Sequence, residues 1–559
     1  MITTTTKSVC RNLAALLSAH GVRRAVVSPG SRNAPLIVAL NRQRDIALTE
    51  VVDERSAAFV ALGMAARSGV PVAICCTSGS ALLNYAPALA EAFYRHVPLI
   101  AVSADRPSEW IDQADSQTMR QCGALSSVTK KCVDIAVDAS EVVGDRLVNE
   151  AVLSALQEPR GPVHINVQLA PPLGRIEEAE VLPRVIRMME PRGDLRYEQV
   201  RALGEELNGR RILIVAGGCA PSPRLHRALG RMASMPDVVV VGEPTSNLHV
   251  RGLVGDVDSL LASVTDDVAE SFYPDVVVSF GLPVVSARLK NWLRAAPESM
   301  EHWALGYDSL TSDTFRHLTM RINTDPAVFL SQLAGALKSG ATNYRDSVAG
   351  AYLTAVGRRN DLFGRMPWSD FMAVGRLLRL AGRKGWDVEL SNGMTVRYTA
   401  LFDNSRIHRM SGNRGISGIE GSTSTAVGAA LASQHPTLLI TGDTSAFYDI
   451  AGLASTDLPS GFRIAIIDNG GGNIFRIVAN TRSLDERERF LACHKPVGVS
   501  WADVARSYGL DFFEASSFVE LDSVAAEFAA SGRPAMLVVH TDGPESAKLY
   551  QQYFNNLKQ

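Results

Sequence analysis

Short apolar runs alternate with longer stretches of helical pattern from residue 22 onward, and small polar residues separate them. The first part of the chain carries this alternation in the segments RRAVVSPGSRN, DIALTEVVDERSAAF, PVAICCTSGS, VPLIAVSADRP and GPVHINVQLAPP. Short β-branched runs between helical stretches are typical of the buried strands of βαβ units. The pattern therefore predicts a mostly parallel sheet with helices on both of its faces.

The same alternation returns twice more along the chain. A second set contains RRILIVAGGCAPS, DVVVVGEPTSN and DVVVSFGLPVVS, and a third contains WDVELSNGMTVRY, TLLITGDTSAFYDIAGLAS, FRIAIIDNGGGNIF and RPAMLVVHTDG. A Pro- and charge-rich stretch near 171–195 indicates a linker, and the stretch near 340–368 indicates a second passage between domains. We therefore expect an α/β protein of three doubly wound parallel-sheet domains, spanning residues 1–183, 184–355 and 356–559.

Composition narrows the class of protein. The 559 residues are 46% hydrophobic and 20% charged, with a net charge of −2, so we expect a globular protein without a nucleic acid or membrane partner. No apolar run approaches the ~18 residues of a membrane span, and MITTTTKSVC lacks a signal pattern, so we expect a cytoplasmic location. The seven cysteines show no CxxC spacing, and we expect neither a disulfide framework nor a zinc site.

Polar residues follow two consecutive strands of the third region. Asp443 comes directly after the apolar run TLLITG, and Asn469 follows RIAIID one strand–helix–strand unit later. Loops after neighbouring parallel strands lie side by side, so the Asp443 carboxylate and the Asn469 amide can converge on a hard cation that also binds substrate phosphates. Two ordinary turns are the alternative for each loop alone, but their joint order and spacing favour a cation and diphosphate site.

The glycines of these two loops fit the same interpretation. Gly442 and the run 470–472 let the backbone approach a diphosphate closely. The amides of Thr444, Ser445 and the residues that follow open a helix, and a helix N-terminus favours anions.

The combination GD…DNGGG at this spacing resembles the diphosphate and metal motif of thiamine diphosphate-dependent enzymes, and DERSAAF resembles the segment that carries their cofactor-activating glutamate. The resemblance implies a pyrimidine-binding domain at 1–183, a central non-catalytic domain at 184–355 and a diphosphate-binding domain at 356–559. It also implies thiamine diphosphate with Mg²⁺ or Mn²⁺, the metal being bound by Asp443, Asn469 and the backbone oxygen of Gly471. GDT stands here for the usual GDG, and Asp468 takes the first place of the usual Asn–Asn pair, but neither departure removes a proposed ligand.

Further strings resemble one branch of that family. SPGSRNAPL, SADRP, DSQTMRQ and SGNRGISGIEGSTSTAVG are similar to synthases of menaquinone biosynthesis, which decarboxylate 2-oxoglutarate and add the succinyl-semialdehyde carbanion to isochorismate. Both substrates are dianions, which guanidinium forks bind bidentately. The resemblance implies these substrate-binding residues: Ser31, Arg32, Arg106, Gln117, Arg288, Arg397, Arg414 and Phe475.

An arginine taken singly is most simply a surface ion-pair partner. Arg32 and Arg106 lie at strand-to-helix loops where this fold binds ligands, which favours function, whereas both interpretations stay open for Arg288. A lysine of the related enzymes is replaced here by Ala287. We count Arg32, Arg106, Arg397 and Arg414 among the catalytic candidates.

The resemblance also implies a cofactor-binding set. Its members are Glu54, Gly79, Asn392, Gly393, Ile419, Thr444, Ser445, Ala446 and Ile474. Ile419 would hold the cofactor in a bent conformation, although an isoleucine taken singly is more often plain core. The charged run at 485–490 is most simply a solvated helical face, and we assign it no role.

The segment VVDERSAAF combines two acids with different predicted roles. Asp53 is a natural helix cap. Glu54 would hydrogen-bond the cofactor's aminopyrimidine, which must become basic to deprotonate the thiazolium carbon. In this family the pyrimidine and the diphosphate bind domains of different subunits, so the resemblance implies a homodimer or a dimer of dimers. Two alternatives stay open: an acetolactate-synthase-like or oxalyl-CoA-decarboxylase-like enzyme, and a non-catalytic diphosphate-binding regulator of the same fold.

Overall fold

A computed structural model describes residues 1–189, 195–308, 310–338, 340–455, 458–490 and 500–558. It contains three six-stranded parallel sheets and one two-stranded sheet, with helices between the strands. The predicted fold class, three doubly wound α/β units of the thiamine diphosphate-enzyme type, is thereby confirmed. The cysteines in the described residues are free thiols, and Cys493 lies outside them.

The first unit forms a sheet of order β3-β2-β4-β5-β7-β6. Its elements are β1 (Ile2–Thr5), α1 (Ser8–Ala19), β2 (Arg24–Val27), α2 (Ala34–Arg42), β3 (Ala47–Glu50), α3 (Glu54–Ser68), β4 (Val72–Cys76), α4 (Ala86–Arg95), β5 (Leu99–Asp105), β6 (Lys131–Ile135), α5 (Glu141–Leu156), β7 (Val163–Gln168) and β8 (Ile176–Ala179). β1 pairs antiparallel with β8, so part of the stretch predicted as a linker is a strand instead.

The second unit forms a sheet of order β11-β10-β9-β12-β13-β14. Its elements are α6 (Tyr197–Leu207), β9 (Ile212–Ala216), α7 (Pro223–Met232), β10 (Val238–Gly242), β11 (Leu253–Val254), α8 (Val257–Ser263), α9 (Asp266–Ser271), β12 (Val276–Phe280), α10 (Ala287–Arg294), β13 (Glu301–Leu305), β14 (Leu318–Ile322), α11 (Pro326–Ala336) and α12 (Tyr344–Phe363). The passage predicted near 340–368 is therefore largely the helix α12.

The third unit forms a sheet of order β16-β15-β17-β18-β20-β19. Its elements are α13 (Asp370–Lys384), β15 (Asp387–Leu390), α14 (Thr395–Thr399), β16 (Arg409–Gly412), α15 (Ser422–Ala432), β17 (Thr437–Gly442), α16 (Asp443–Tyr448), β18 (Phe462–Asp468), α17 (Ile474–Ile477), α18 (Ala479–Arg482), α19 (Glu486–Phe490), α20 (Trp501–Ser507), β19 (Asp511–Ala515), α21 (Phe518–Ala530), β20 (Ala535–His540) and α22 (Gly543–Leu557). Short 3-10 helices occur at Gly79–Tyr85, Ser108–Trp110, Ser126–Val128, Pro244–Ser246 and Ile450–Ala454.

The central strands are buried along their whole length because helices cover both faces of each sheet. Every residue of β4, β9 and β18 is buried. Such continuous burial is what distinguishes a parallel sheet from a half-solvated antiparallel one. Within the described residues, no helix is both long enough and apolar enough to cross a membrane.

The first and third units contact each other through two glycines. A Cβ added to Gly63 of α3 would lie 2.0 Å from the Thr425 carbonyl oxygen, and one added to Gly428 of α15 would lie 1.9 Å from that of Val60. Only glycine leaves room for two helix backbones this close. Helix α3, which begins at Glu54, is therefore packed backbone to backbone against the helix that follows Ile419.

Candidate active site

The loops after β17 and β18 meet at the carboxylate of Asp443. One of its oxygens accepts hydrogen bonds from the amides of Gly470 at 3.0 Å and Gly471 at 2.9 Å, and the other accepts from the Thr444 amide at 2.6 Å. Asp443 is 2% exposed, and burial, with the nearby Asp468 charge, raises its pKa to about 6. The two loops that the motif spacing places side by side are thus tied together by this acid.

Three oxygen donors at these loops suit a hard cation. They are the Asp443 carboxylate, the Asn469 amide oxygen and the Gly471 carbonyl. Gly470 and Gly471 have φ of +85° and +119°, and a Cβ on Gly470 would meet nothing within 4 Å, so the loop leaves open space. No cluster of three or more His, Cys, Asp or Glu side chains that could hold a metal occurs in the described residues. One carboxylate with neutral oxygens matches a cation whose remaining ligands are phosphate oxygens.

The loop after β15 connects to the same region through Asn392. The Asn392 amide donates to the carbonyl oxygens of Asn413 at 2.6 Å and Gly418 at 2.7 Å. Gly393 has φ +95°, and a Cβ there would meet nothing within 4 Å. The Ser445 hydroxyl donates to the Ile419 carbonyl oxygen at 2.8 Å, which places Ile419 beside α16. Of the other candidates nearby, Ala446 is buried, and Thr444, Ile474 and Phe475 are half-buried.

Helix α3 begins as its sequence predicts. The Asp53 carboxylate accepts from the amides of Arg55 at 2.9 Å and Ser56 at 3.4 Å, so its capping role is confirmed. Glu54, the first residue of the helix, is half-buried. The Arg55 guanidinium donates to the Tyr448 carbonyl oxygen at 3.0 Å and lies over its ring at 5.0 Å. Arg55, the residue after Glu54, therefore contacts the end of α16 opposite to Asp443.

Arg32 and Arg106 form a cationic pair at the carboxyl edge of the first sheet. Arg32 is 9% exposed and donates to the Leu169 carbonyl oxygen at 2.7 Å, and burial with the Arg106 charge lowers its pKa. Arg106 pairs with Asp115 at 2.5 Å. Its buried Nε has no hydrogen-bond partner among the residues the structure describes. Two neighbouring guanidiniums with an unused donor favour an anion.

The remaining first-unit candidates lie on connected loops. Ser31 and Gln117 are exposed, and the Gln117 carbonyl oxygen accepts from the Ser78 hydroxyl at 3.0 Å. The Gly79 amide donates to the Gln121 side chain at 2.6 Å. Sequence reasoning missed Gln121, because a buried amide that joins two loops has no local signal.

A second cationic group surrounds the loop after β15. Arg397 donates to the Gly393 carbonyl oxygen, and Arg414 donates to the Asn392 side chain at 2.7 Å. Arg414 is 8% exposed, burial lowers its pKa, and its buried Nε has no partner in the described part of the chain.

The middle unit contributes to this second group from helix α10. Burial raises the pKa of Asp258, and the charges of Arg288 and Arg397 oppose that rise. The Arg288 guanidinium lies over the Phe554 ring at 4.5 Å. Burial lowers the pKa of Lys290, with Glu243 and the arginines Arg414 and Arg397 nearby. Lys290 follows Ala287 by one helical turn, so the spacing could have pointed to it.

Comparisons with known proteins show the class of this protein. Residues 7–124 match the family model of the thiamine pyrophosphate enzyme N-terminal TPP binding domain. The fold and this match together define a thiamine pyrophosphate-dependent enzyme.

Several curated relatives share one name, 2-succinyl-5-enolpyruvyl-6-hydroxy-3-cyclohexene-1-carboxylate synthase. The protein of Porphyromonas gingivalis is 38% identical over 96% of this chain and 95% of its own length. Those of Bacteroides fragilis and Phocaeicola vulgatus are 35% and 34% identical, each over 98% of both chains. The chain belongs to the 2-succinyl-5-enolpyruvyl-6-hydroxy-3-cyclohexene-1-carboxylate synthase family.

Proposed function

We propose that this enzyme decarboxylates 2-oxoglutarate and transfers the resulting succinyl-semialdehyde carbanion to isochorismate, in menaquinone biosynthesis in the cytoplasm. The observation that carries the proposal is the near-full-length similarity to synthases of that name. The unused donors of Arg106 and Arg414 support it, because both substrates are dianions.

Thiamine diphosphate, when bound, supplies the electron sink for the carbanion. Asp443, Asn469 and the Gly471 carbonyl would hold Mg²⁺ or Mn²⁺. The diphosphate would lie against the amides of 444–446 and the loop at 392–393, with Ile419 and Ile474 as apolar walls. Gly79 would border the pyrimidine. Residues 1–183, 184–355 and 356–559 would be the pyrimidine-binding, central and diphosphate-binding domains.

Glu54 handles a proton at the pyrimidine ring nitrogen. Glu54 is half-buried in the first turn of α3, which the Asp53 carboxylate caps. A positioned carboxyl of this kind supports proton transfer without itself contacting the substrate.

The arginines orient the substrate carboxylates. Arg32 and Arg106, with Ser31 and Gln117, form one receiving group. Arg397 and Arg414 form the other, with Arg288 and Phe475 at its border.

The substrates can be tested directly. Protein, Mg²⁺, thiamine diphosphate and 2-oxoglutarate are mixed with and without isochorismate, and products are followed by mass spectrometry. We expect a succinyl adduct of isochorismate. Consumption of pyruvate without that adduct would instead support an acetolactate-synthase-like enzyme.

The active site forms between two chains, in a homodimer or a dimer of dimers. Exposed apolar side chains beside the site support this, because Val52 is 76% exposed, Tyr448 50% and Phe447 38%, and such surfaces favour a partner.

Mixing two inactive variants tests the assembly. Glu54→Gln and Asp443→Asn proteins are unfolded, mixed and refolded together. If each site takes Glu54 from one chain and Asp443 from the other, a mixed dimer contains one intact site and activity returns. If both residues act within one chain, no mixture is active. Each variant refolded alone is the control.

A further inference from the structure

A buried carboxylate outside the predicted site is bonded to one of the proposed metal ligands. Asp370, the first residue of α13, is fully buried. Its carboxylate accepts hydrogen bonds from the side chains of Asn469 at 2.7 Å, Asn473 at 2.9 Å, Thr541 at 2.5 Å and Tyr398 at 3.3 Å. Its own amide donates to the Ser546 hydroxyl at 3.0 Å. One acid thus joins the loop after β18 to three other elements of the third unit.

These bonds determine which way two amides face. An ionised carboxylate only accepts, so the NH₂ groups of Asn469 and Asn473 face Asp370 and their carbonyl oxygens face away from it. The Asn473 oxygen is buried and has no hydrogen-bond partner among the described residues. The side-chain oxygens of Asn469 and Asn473 are therefore both available to a ligand at the loop that carries the proposed cation site.

We infer that Asp370 is a positioning residue that holds the amides of Asn469 and Asn473 with their oxygens toward the bound cation and diphosphate. The inference rests on the proposed function, since it needs the cation at Asp443 and Asn469. Partners that orient metal ligands in this way affect metal affinity about 10- to 100-fold.

Asp370→Leu tests the inference with little change of side-chain size. A leucine side chain accepts no hydrogen bond, so the NH₂ groups of Asn469 and Asn473 lose the acceptor that orients them, and either amide can turn its hydrogens to where the cation needs oxygen. We expect the Mg²⁺ concentration for half-maximal thiamine diphosphate binding, followed by tryptophan fluorescence, to rise about 10- to 100-fold. Asp256→Asn, at a buried acid of the middle unit that pairs with Arg359, is the control and should leave that concentration unchanged.

The conservative variant Asp370→Asn separates orientation from general packing. Asn469, Asn473 and Tyr398 all donate to one Asp370 oxygen, and the Thr541 hydroxyl donates to the other. An asparagine can keep its carbonyl oxygen at the first position and turn its NH₂ group to the Thr541 hydroxyl, which can accept. We expect Asp370→Asn to keep most of the Mg²⁺-dependent cofactor binding that Asp370→Leu loses, and equal losses in the two variants would overturn the inference.

The variant Asp443→Asn tests the proposed cation site separately from the positioning role of Asp370. If Asp443→Asn leaves the Mg²⁺ dependence unchanged, the proposed cation site itself is wrong. If it raises the Mg²⁺ requirement while Asp370→Leu changes only the thermal unfolding midpoint, the positioning role alone fails.

Discussion

The first and third sheets have the same strand order, yet the loops at their carboxyl edges carry different side chains. Counted along the chain, both sheets run second, first, third, fourth, sixth, fifth. The third strand leads to Gly79 in the first sheet and to Asp443 in the third. The fourth strand leads to Arg106 in one and Asn469 in the other. The second strand precedes Glu54 in one and Arg414 in the other.

The comparison shows that strand order and loop side chains contribute to the site in different ways. The shared order determines which loops come together, because ligands gather beyond the carboxyl ends of the strands. The side chains on those loops then determine the ligand, so we expect the guanidinium pair to bind carboxylates and the acid with its neighbouring amide to bind a cation. The middle sheet has a different order, and side chains near α10 bring it to the second cationic group.

The largest effect is expected at Glu54. If this loop of the first sheet supplies the activating acid, Glu54→Gln lowers kcat about 10²- to 10⁴-fold and leaves cofactor binding intact. Deuterium exchange at the thiazolium carbon of the bound cofactor, measured by NMR, should slow in parallel. Glu50→Gln, at an exposed acid on the preceding strand, is the matched control. If deuterium exchange in Glu54→Gln were as fast as in the unmodified protein, Glu54 would not be the activating acid.

Arginines at the carboxyl edges of the first and third sheets should contribute similarly to substrate binding, although they lie in different units. Arg106→Lys and Arg414→Lys each replace a fork by a point charge, so we expect KM for a dianionic substrate to rise about 10- to 100-fold. Initial rates at varied concentrations of each substrate measure this. Arg120→Lys, at an arginine with an 82% exposed side chain, should change nothing. An equal effect at Arg120 would show that only overall charge matters.

The contact between the two units can be broken at Gly428. A methyl group there would overlap the Val60 carbonyl oxygen, and we expect Gly428→Ala to lower the free energy of unfolding by about 1 to 3 kcal/mol. Urea denaturation measures the change. Gly357→Ala in α12, where a Cβ meets nothing within 4 Å, should be neutral or stabilise by up to about 1 kcal/mol. Similar results for both variants would contradict the close helix contact.

The smallest effect is expected at Asp53, beside Glu54. Asp53→Ala removes the cap of α3 and should cost about 1 kcal/mol of stability, while kcat changes far less than in Glu54→Gln. Asp53→Asn keeps a capping oxygen and should retain most of that stability. If Asp53→Asn lost as much activity as Glu54→Gln, the assignment of helix capping to Asp53 and proton transfer to Glu54 would be wrong.

Regular, local patterns made most of the fold predictable. The strands of the three sheets are nearly continuous apolar runs, and the one-unit spacing of Asp443 and Asn469 predicted neighbouring loops. The pairing of β1 with β8 was missed because it joins segments far apart in the chain. Helix α12 was missed because its apolar residues do not collect on one face.

The supporting residues of the site could not be predicted in the same way. Asp370 stands where a helix start often places an acid, and only the folded chain shows four donors around it. Gln121 likewise owes its role to Gly79, a residue on another loop. Residues whose role depends on partners far away in the chain are marked neither by hydrophobic periodicity nor by a motif of fixed spacing.

The paired glycines of α3 and α15 limit how such an enzyme can be recombined. A first unit taken from a relative would fit only if it presents glycine opposite Thr425, and the receiving chain must present one opposite Val60. Chimeras that combine the substrate loops of one protein with the cofactor loops of another should therefore be chosen by these two positions before any residue of the site is considered.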